Sequence, residues 1–140
     1  MKIIVINGPN LNMLGKRELT VYGSSTLNDL IKYVKDKFKN DNIEIEFFQS
    51  NHEGYIIDKI HEANEKFDGV VINPGALTHY SYAIHDAIKS IVPKVVEVHI
   101  SNIHQREKFR QKSVTASACI GQISGFGFES YVLGIKSLLK

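Results

Sequence analysis

Apolar and polar positions along this chain follow two alternating rhythms. Five short runs are rich in β-branched residues: KIIVIN (2–7), IEIEFFQS (43–50), GVVINPG (69–75), KVVEVHIS (94–101) and ACIGQISG (118–125). Between them, apolar residues recur at helical spacing. In 26–39, Leu27, Leu30, Ile31, Val34 and Phe38 share one face, and Thr26 with Asp29 has the form of a capping box. Ile56, Ile57, Ile60 and Ala63 make a face in 54–66. Tyr80, Ala83, Ile84, Ala87, Ile88 and Ile91 make another in 80–91, and Tyr131, Val132, Ile135, Leu138 and Leu139 close the chain with a last helix. The stretch 102–117 has no clear apolar face and reads as a short turn of helix and a loop.

Strand and helix alternating in this way predict a parallel sheet with helices on both faces, an α/β three-layer sandwich. Strands 1 and 3 are almost wholly apolar, as strands covered on both sides are. Strand 2 sets Ile43, Ile45 and Phe47 against Glu44 and Glu46, which predicts an edge. The expected order is flavodoxin-like, 2-1-3-4-5. No repeat, linker or low-complexity segment divides residues 1–140, so one domain is expected.

In such sheets ligands bind beyond the carboxyl ends of the strands. Strand 1 delivers Asn7, Pro9 and Asn10 there; strand 2 delivers Gln49, Ser50, Asn51 and His52. Strand 3 delivers Asn73, Gly75, Thr78 and His79, strand 4 delivers His99, Ser101 and Asn102 with Arg106 and Arg110 downstream, and strand 5 delivers Ser124. The opposite ends carry mostly Lys, Glu, Asp and Gly. The asymmetry predicts a polar small-molecule site at one edge of the sheet. Any single Asn in such a loop is equally an ordinary turn residue; the coincidence of several loops carries the reading.

Composition narrows the classes. A net charge of +2 without a basic block argues against nucleic acid. No apolar run approaches the roughly 20 residues of a membrane span, and Met1 leads straight into a strand without a leader pattern, so a soluble cytoplasmic protein is expected. The single Cys119 reads as a small buried hydrophobe in a strand. There is no phosphate-binding glycine loop, no nucleophile elbow, and no metal-ligand spacing among six histidines. Acid–base chemistry by His and Tyr remains, with Arg as positive charge. A phenol, with its ordinary pKa of about 10, is a poor base at neutral pH. A guanidinium beside it favours the phenolate, and Arg17 and Tyr22 lie in one loop, 7–23. Glu97 and His99 are two residues apart in a strand and share a face, so the carboxylate is placed to orient the imidazole. Arg106 reads either as a surface cation or as a second charge beside that loop. His52 reads as a helix start, and His61, His85 and His104 as solvated or structural.

NGPNLNMLGKRE…YG, QSNHEG, INPGALTHYS, HDAI and EVHISNIHQREKFR, in this order and spacing, resemble the type II 3-dehydroquinate dehydratases over nearly the whole chain. The resemblance implies a flavodoxin-like fold, trimers packed into a dodecamer, and loss of water from 3-dehydroquinate to give 3-dehydroshikimate in aromatic biosynthesis, with no metal and no cofactor. Carried over by position, Tyr22 would be the base. Arg17, on a lid near 14–23, would keep Tyr22 ionised. His99 would be the general acid, held by Asn10. Asn73 and Gly75 would hold substrate and an enolate-stabilising water. His79, Ile100, Ser101 and Arg110 would grip hydroxyls and carboxylate, and Asp86 would reach a neighbouring subunit's site. Three other readings stay open at this point: a nucleotide- or flavin-binding module, an inactive scaffold of the same assembly, and an elimination enzyme for a related hydroxy-ketone acid.

Overall fold

The structure, a computed structural model, describes residues 1–16 and 18–139; the Tyr22 side chain also lies outside the described part. Five parallel strands form one sheet in the order β2-β1-β3-β4-β5. They are β1 (Lys2–Asn7), β2 (Glu44–Gln49), β3 (Gly69–Asn73), β4 (Lys94–His99) and β5 (Gly121–Ser124). The helices are α1 (Leu19–Tyr22), α2 (Leu27–Lys37), α3 (Glu53–Lys66), α4 (Tyr82–Lys89) and α5 (Glu129–Leu138). The flavodoxin-like order read from the alternation therefore holds, and β2 is an edge strand as its Glu alternation requires.

Successive strand side chains point to opposite faces, and each face has its own core. Ile3 and Val5 of β1 pack with Val71, Val96 and Val98 and with Leu30, Val34, Tyr131 and Ile135, the apolar faces of α2 and α5. Ile4 and Ile6 pack with Val70 and Ile72 and with Ile56, Ile60, Ile84 and Ile88, the faces of α3 and α4. Alternation within one strand thus feeds two layers. At α2 the expected cap is formed: the Asp29 N–H donates to Thr26 Oγ1 at 3.1 Å, and the Thr26 N–H donates to Asp29 Oδ2 at 2.9 Å.

Boundaries differ from the sequence expectation where side chains compete for the backbone. The fifth strand starts at Gly121 rather than 118, because 116–118 is a 3-10 turn. Its entry is secured by Ser113 Oγ, which accepts from the Ala116 N–H at 2.9 Å. Cys119 is accordingly half-buried ahead of the strand. Tyr80 precedes α4 and is exposed, and Ser81 caps that helix by accepting from the Ile84 N–H at 3.0 Å. Leu139 likewise lies beyond α5 and is partly exposed. The stretch 102–117 holds 3-10 turns at Ile103–Gln105 and Lys108–Arg110 rather than one helical turn.

The loops leaving β1 and β3 cross at close range. A Cβ on Gly8 would sit 2.3 Å from the Pro74 carbonyl oxygen. Gly75, at φ +63°, would place one 2.9 Å from the Pro9 oxygen. This contact sets the floor of the sheet edge and accepts no side chain. Gly8→Ala is expected to lower stability by about 1–3 kcal/mol through overpacking. The readout is a reduced urea midpoint at unchanged slope; an unchanged midpoint would contradict the crossing.

Candidate active site

A cleft enclosing about 610 Å³ when its open mouth is counted lies at the carboxyl ends of β1, β3 and β4, where ligands bind in parallel α/β sheets. Asn10 comes to it from the β1 loop, Asn73, Gly75 and His79 from the end of β3 and its 3-10 turn, and His99, Ile100, Ser101 and Arg110 from the end of β4 and beyond. Eight of the eleven residues expected from the sequence therefore share one cleft. Asp86 lies outside it, on the exposed face of α4. Arg17 and the Tyr22 side chain are outside the described residues, so the expected base and its activator are named here without a position.

His99 is buried at the end of β4, and its Nε2 lies 2.8 Å from Glu97 Oε2. Glu97 is wholly buried on the face that the chain elsewhere fills with Val and Ile. A carboxylate there is tolerable only when its oxygens are filled by donors. Burial pushes its pKa up, but hydrogen bonding and charge from His99, with bonds from Thr115 and Gln122, outweigh that and hold it at about 2. An ionised carboxylate only accepts, so Nε2 carries the hydrogen of this pair. Nδ1 is the nitrogen left to serve the cleft.

His79 is fixed differently. Its Nδ1 lies 2.7 Å from the Lys112 carbonyl oxygen; a carbonyl only accepts, so Nδ1 donates. Burial pushes the His79 pKa down, and the neighbouring His99 and Arg110 push the same way. The neutral ring presents Nε2 as an acceptor, suited to a ligand hydroxyl.

Asn73 ties the cleft to the core. Its Oδ1 accepts from the Gly75 N–H at 3.1 Å. One hydrogen of its amide goes to the buried Tyr131 hydroxyl at 2.8 Å, and Tyr131 donates to Asn7 Oδ1 at 2.6 Å. A primary amide has two hydrogens, so the second remains for a ligand. Asn10 is held in the left-handed region at φ 70°. Its N–H donates to Asn51 Oδ1 at 2.9 Å, and Gln49 Nε2 bonds the Gly8 carbonyl at 3.2 Å and Asn51 Oδ1 at 3.1 Å. The β2 loop thus braces the β1 loop. The bond recorded on the His99 ring is to Glu97, while Asn10 shares the cleft wall with it.

The charge of the cleft comes from Arg106 and Arg110 beside two imidazoles, with no carboxylate on its described lining. Arg106 Nη1 donates to Ser101 Oγ at 3.1 Å, and its Nη2 lies 3.8 Å from Glu18 Oε2, which belongs to the segment leading into α1. Of the two sequence readings of Arg106, the one placing it beside that segment agrees with the structure. Its spacing from Arg110, four residues, was the available signal. The supports of Glu97 (Ser113, Thr115 and Gln122) went unread, because they lie in irregular chain and at an edge strand. Among the described residues, no group of three or more His, Cys, Asp or Glu is placed to hold a metal ion, and no helix is long and apolar enough to cross a membrane. The arrangement can bind a hydroxylated anion, hold its carboxylate and exchange a proton at His99.

A family profile described as "Dehydroquinase class II" matches residues 1–139. The chain is 62% identical over 138 residues to the 3-dehydroquinate dehydratase of Clostridium acetobutylicum, covering 99% of this chain and 96% of that one. It is 61% identical over 138 residues to the protein of that name from Caldicellulosiruptor bescii, covering 98% and 95%. The crystal structure of a type II dehydroquinase from Butyrivibrio crossotus matches with a TM-score of 0.97 at 54% identity, covering 100% of this chain and 98% of that one.

Because the folded pKa of Glu97 is held below its ordinary value of 4.5, its stabilising contribution is fully present above that pH and is lost as pH falls toward 2. Urea midpoints of the wild type should drop between about pH 5 and about pH 3, and Glu97→Gln should drop less over the same interval. Equal drops would show that Glu97 is not ionised in the fold.

Proposed function

This chain belongs to the class II dehydroquinase family, and from that premise we propose its reaction: it is a hydro-lyase that removes water from 3-dehydroquinate to give 3-dehydroshikimate, in the shikimate pathway of aromatic amino acid biosynthesis. The observation that carries the reading is the His99–Glu97 pair, buried at the end of β4 and facing a cationic cleft.

The carbon–hydrogen bond broken is at C2, beside the ketone. Tyr22, held as phenolate by Arg17, takes that proton and leaves an enolate. The free hydrogen of the Asn73 amide, with a water it holds beside Gly75, steadies the enolate oxygen. The C1–oxygen bond then breaks, and the departing hydroxyl takes a proton from His99 Nδ1 and leaves as water. Glu97 is the counter-charge while the imidazole holds two hydrogens. Exchange with solvent returns the proton from Tyr22 and recharges His99. His79 Nε2 and Ser101 take substrate hydroxyls, the Ile100 backbone contributes beside them, and Arg110 takes the carboxylate, a pairing suited to its planar fork. Asn10 closes the wall next to His99. The segment of Arg17 and Tyr22 acts as a lid over the cleft, and the Arg106–Glu18 approach supports its docking there.

The proposal extends to assembly and setting. Residues 1–140 act as one catalytic domain, in trimers packed as a dodecamer in the cytoplasm. Asp86 reaches a neighbouring site across the trimer. Its position supports this: Tyr82, one helical turn earlier on α4, is an exposed aromatic on the same face, and Tyr80 just before the helix is exposed as well, the kind of surface that marks contact with another chain.

A continuous ultraviolet assay for the conjugated product tests the chemistry. Wild-type protein should turn over 3-dehydroquinate, and Tyr22→Phe should lower kcat about 10²–10⁴-fold with KM little changed, the range for a lost general base. A near-normal rate in Tyr22→Phe would overturn the phenolate as base.

A further inference from the structure

Glu97 is not held by His99 alone. Thr115 Oγ1 donates to its Oε1 through a short bond, and Ser113 Oγ and Gln122 Nε2 each donate to its Oε2 at 2.8 Å. With His99, four donors converge on one carboxylate, three of them on Oε2 and one on Oε1. Behind them, Thr78 Oγ1 lies 2.8 Å from Ser113 Oγ and 2.7 Å from Thr115 Oγ1. Since Ser113 and Thr115 both spend their hydrogens on Glu97, Thr78 is the donor in this cluster, and it supports the two hydroxyls that point at the carboxylate. Thr78 and Thr115 are fully buried.

The segment bearing two of these hydroxyls is itself clamped. The Val114 N–H donates to the Thr78 carbonyl at 2.7 Å, and the Val114 carbonyl accepts from His85 Nδ1 at 2.9 Å. The Lys112 carbonyl accepts from His79. Nothing in the reaction as written uses Thr78, Ser113, Thr115 or Gln122. Yet a buried shell of this size at a position that Val or Ile would otherwise fill has a steep energetic cost unless every donor is matched.

We propose that Thr115, with Ser113 and Gln122, is a positioning residue for the reaction: it locks Glu97 as a pure acceptor, and so fixes the His99 ring with Nε2 toward Glu97 and Nδ1 toward substrate. This rests on the assignment of His99 as general acid. Protonated Glu97 would present a hydrogen to one of the four donors, so the shell and the ionised state require each other. The other titratable groups around Glu97 are His99 on its own strand, His79 on the turn after β3, Cys119 ahead of β5 and His85 on α4, with Arg110 facing His79.

The test compares wild type with Thr115→Val, which removes the hydroxyl at nearly constant volume, and Thr115→Ser, which restores it. Thr115→Val should lower kcat about tenfold with KM within about twofold, as for a lost supporting partner of a functional group. The acid limb of its kcat profile should move to higher pH, since Glu97 then takes a proton more readily. Thr115→Ser should recover most of both. In a His99→Ala background the further Thr115→Val change should have little effect, because the two act as a unit. Nitrogen-15 NMR of histidine-labelled protein reads the same claim without substrate. Wild type should show a slowly exchanging His99 Nε2–H, and Thr115→Val should show faster exchange. Should Thr115→Val fail to fold, Gln122→Met at the partly exposed edge strand serves in its place, with smaller shifts of the same sign. A variant with wild-type kcat, pH profile and Nε2–H exchange overturns the proposal. A wild type that shows the protected Nε2–H but does not act on 3-dehydroquinate overturns the assigned reaction, and the positioning role in that reaction with it. An unchanged NMR signature in an active enzyme overturns the positioning role alone.

Discussion

One buried charge organises this molecule. Glu97 occupies a place in β4 where the neighbouring inward residue on the same face, Val95, is apolar. A carboxylate there must be surrounded by donors or be neutral. The chain supplies donors from three directions: His99 along the strand, Gln122 across the ladder to β5, and Ser113 and Thr115 from the irregular segment between. The register pairs Glu97 with Gln122 directly, so the sheet itself aims one of them. The path of 112–118, which in a plainer protein would be an arbitrary connection, is dictated by the need to bring two hydroxyls to one carboxylate.

A second polar chain performs the same service on the other side of the cleft. Asn7 and Asn73 are neighbours in the register of β1 and β3, and both bond the hydroxyl of Tyr131, which reaches up from α5. Burial pushes the Tyr131 pKa up, so it stays neutral and can donate and accept at once. The hydrophobic layer under the sheet therefore ends in a hydrogen-bonded tip that orients the Asn73 amide. Together with the close Gly8–Pro74 crossing, it braces the cleft floor, while Glu18 approaches the cleft through the side chain of Arg106.

Much of this was legible in the linear pattern. The unbroken apolar run of Ile3 through Ile6 is enough to place β1 between two layers, and the period of 27–38 with its Thr26–Asp29 box locates α2 within two residues. The Glu97–His99 pairing follows from strand geometry alone. What stayed hidden depends on contacts far apart in sequence between residues that have no period. Thr115 and Ser113 look like ordinary loop hydroxyls, and Tyr131 like one more member of a helical apolar face. The start of β5 was misplaced for the same reason: the local pattern of 118–120 suits a strand, but Ser113 captures the Ala116 N–H and holds a turn. Arg17 and the Tyr22 side chain rest on the resemblance of the loop motif.

The central claim is a division of labour, with Tyr22 breaking the C2–hydrogen bond and the Glu97-supported His99 protonating the hydroxyl that leaves. Proton NMR of 3-dehydroquinate in deuterated water with the His99→Ala protein tests it most directly, since it reads C2 exchange and product formation in one sample. The account predicts that the C2 signal still exchanges while product formation nearly stops. Product formed at close to the wild-type rate, or loss of exchange together with turnover in a folded protein, would contradict it.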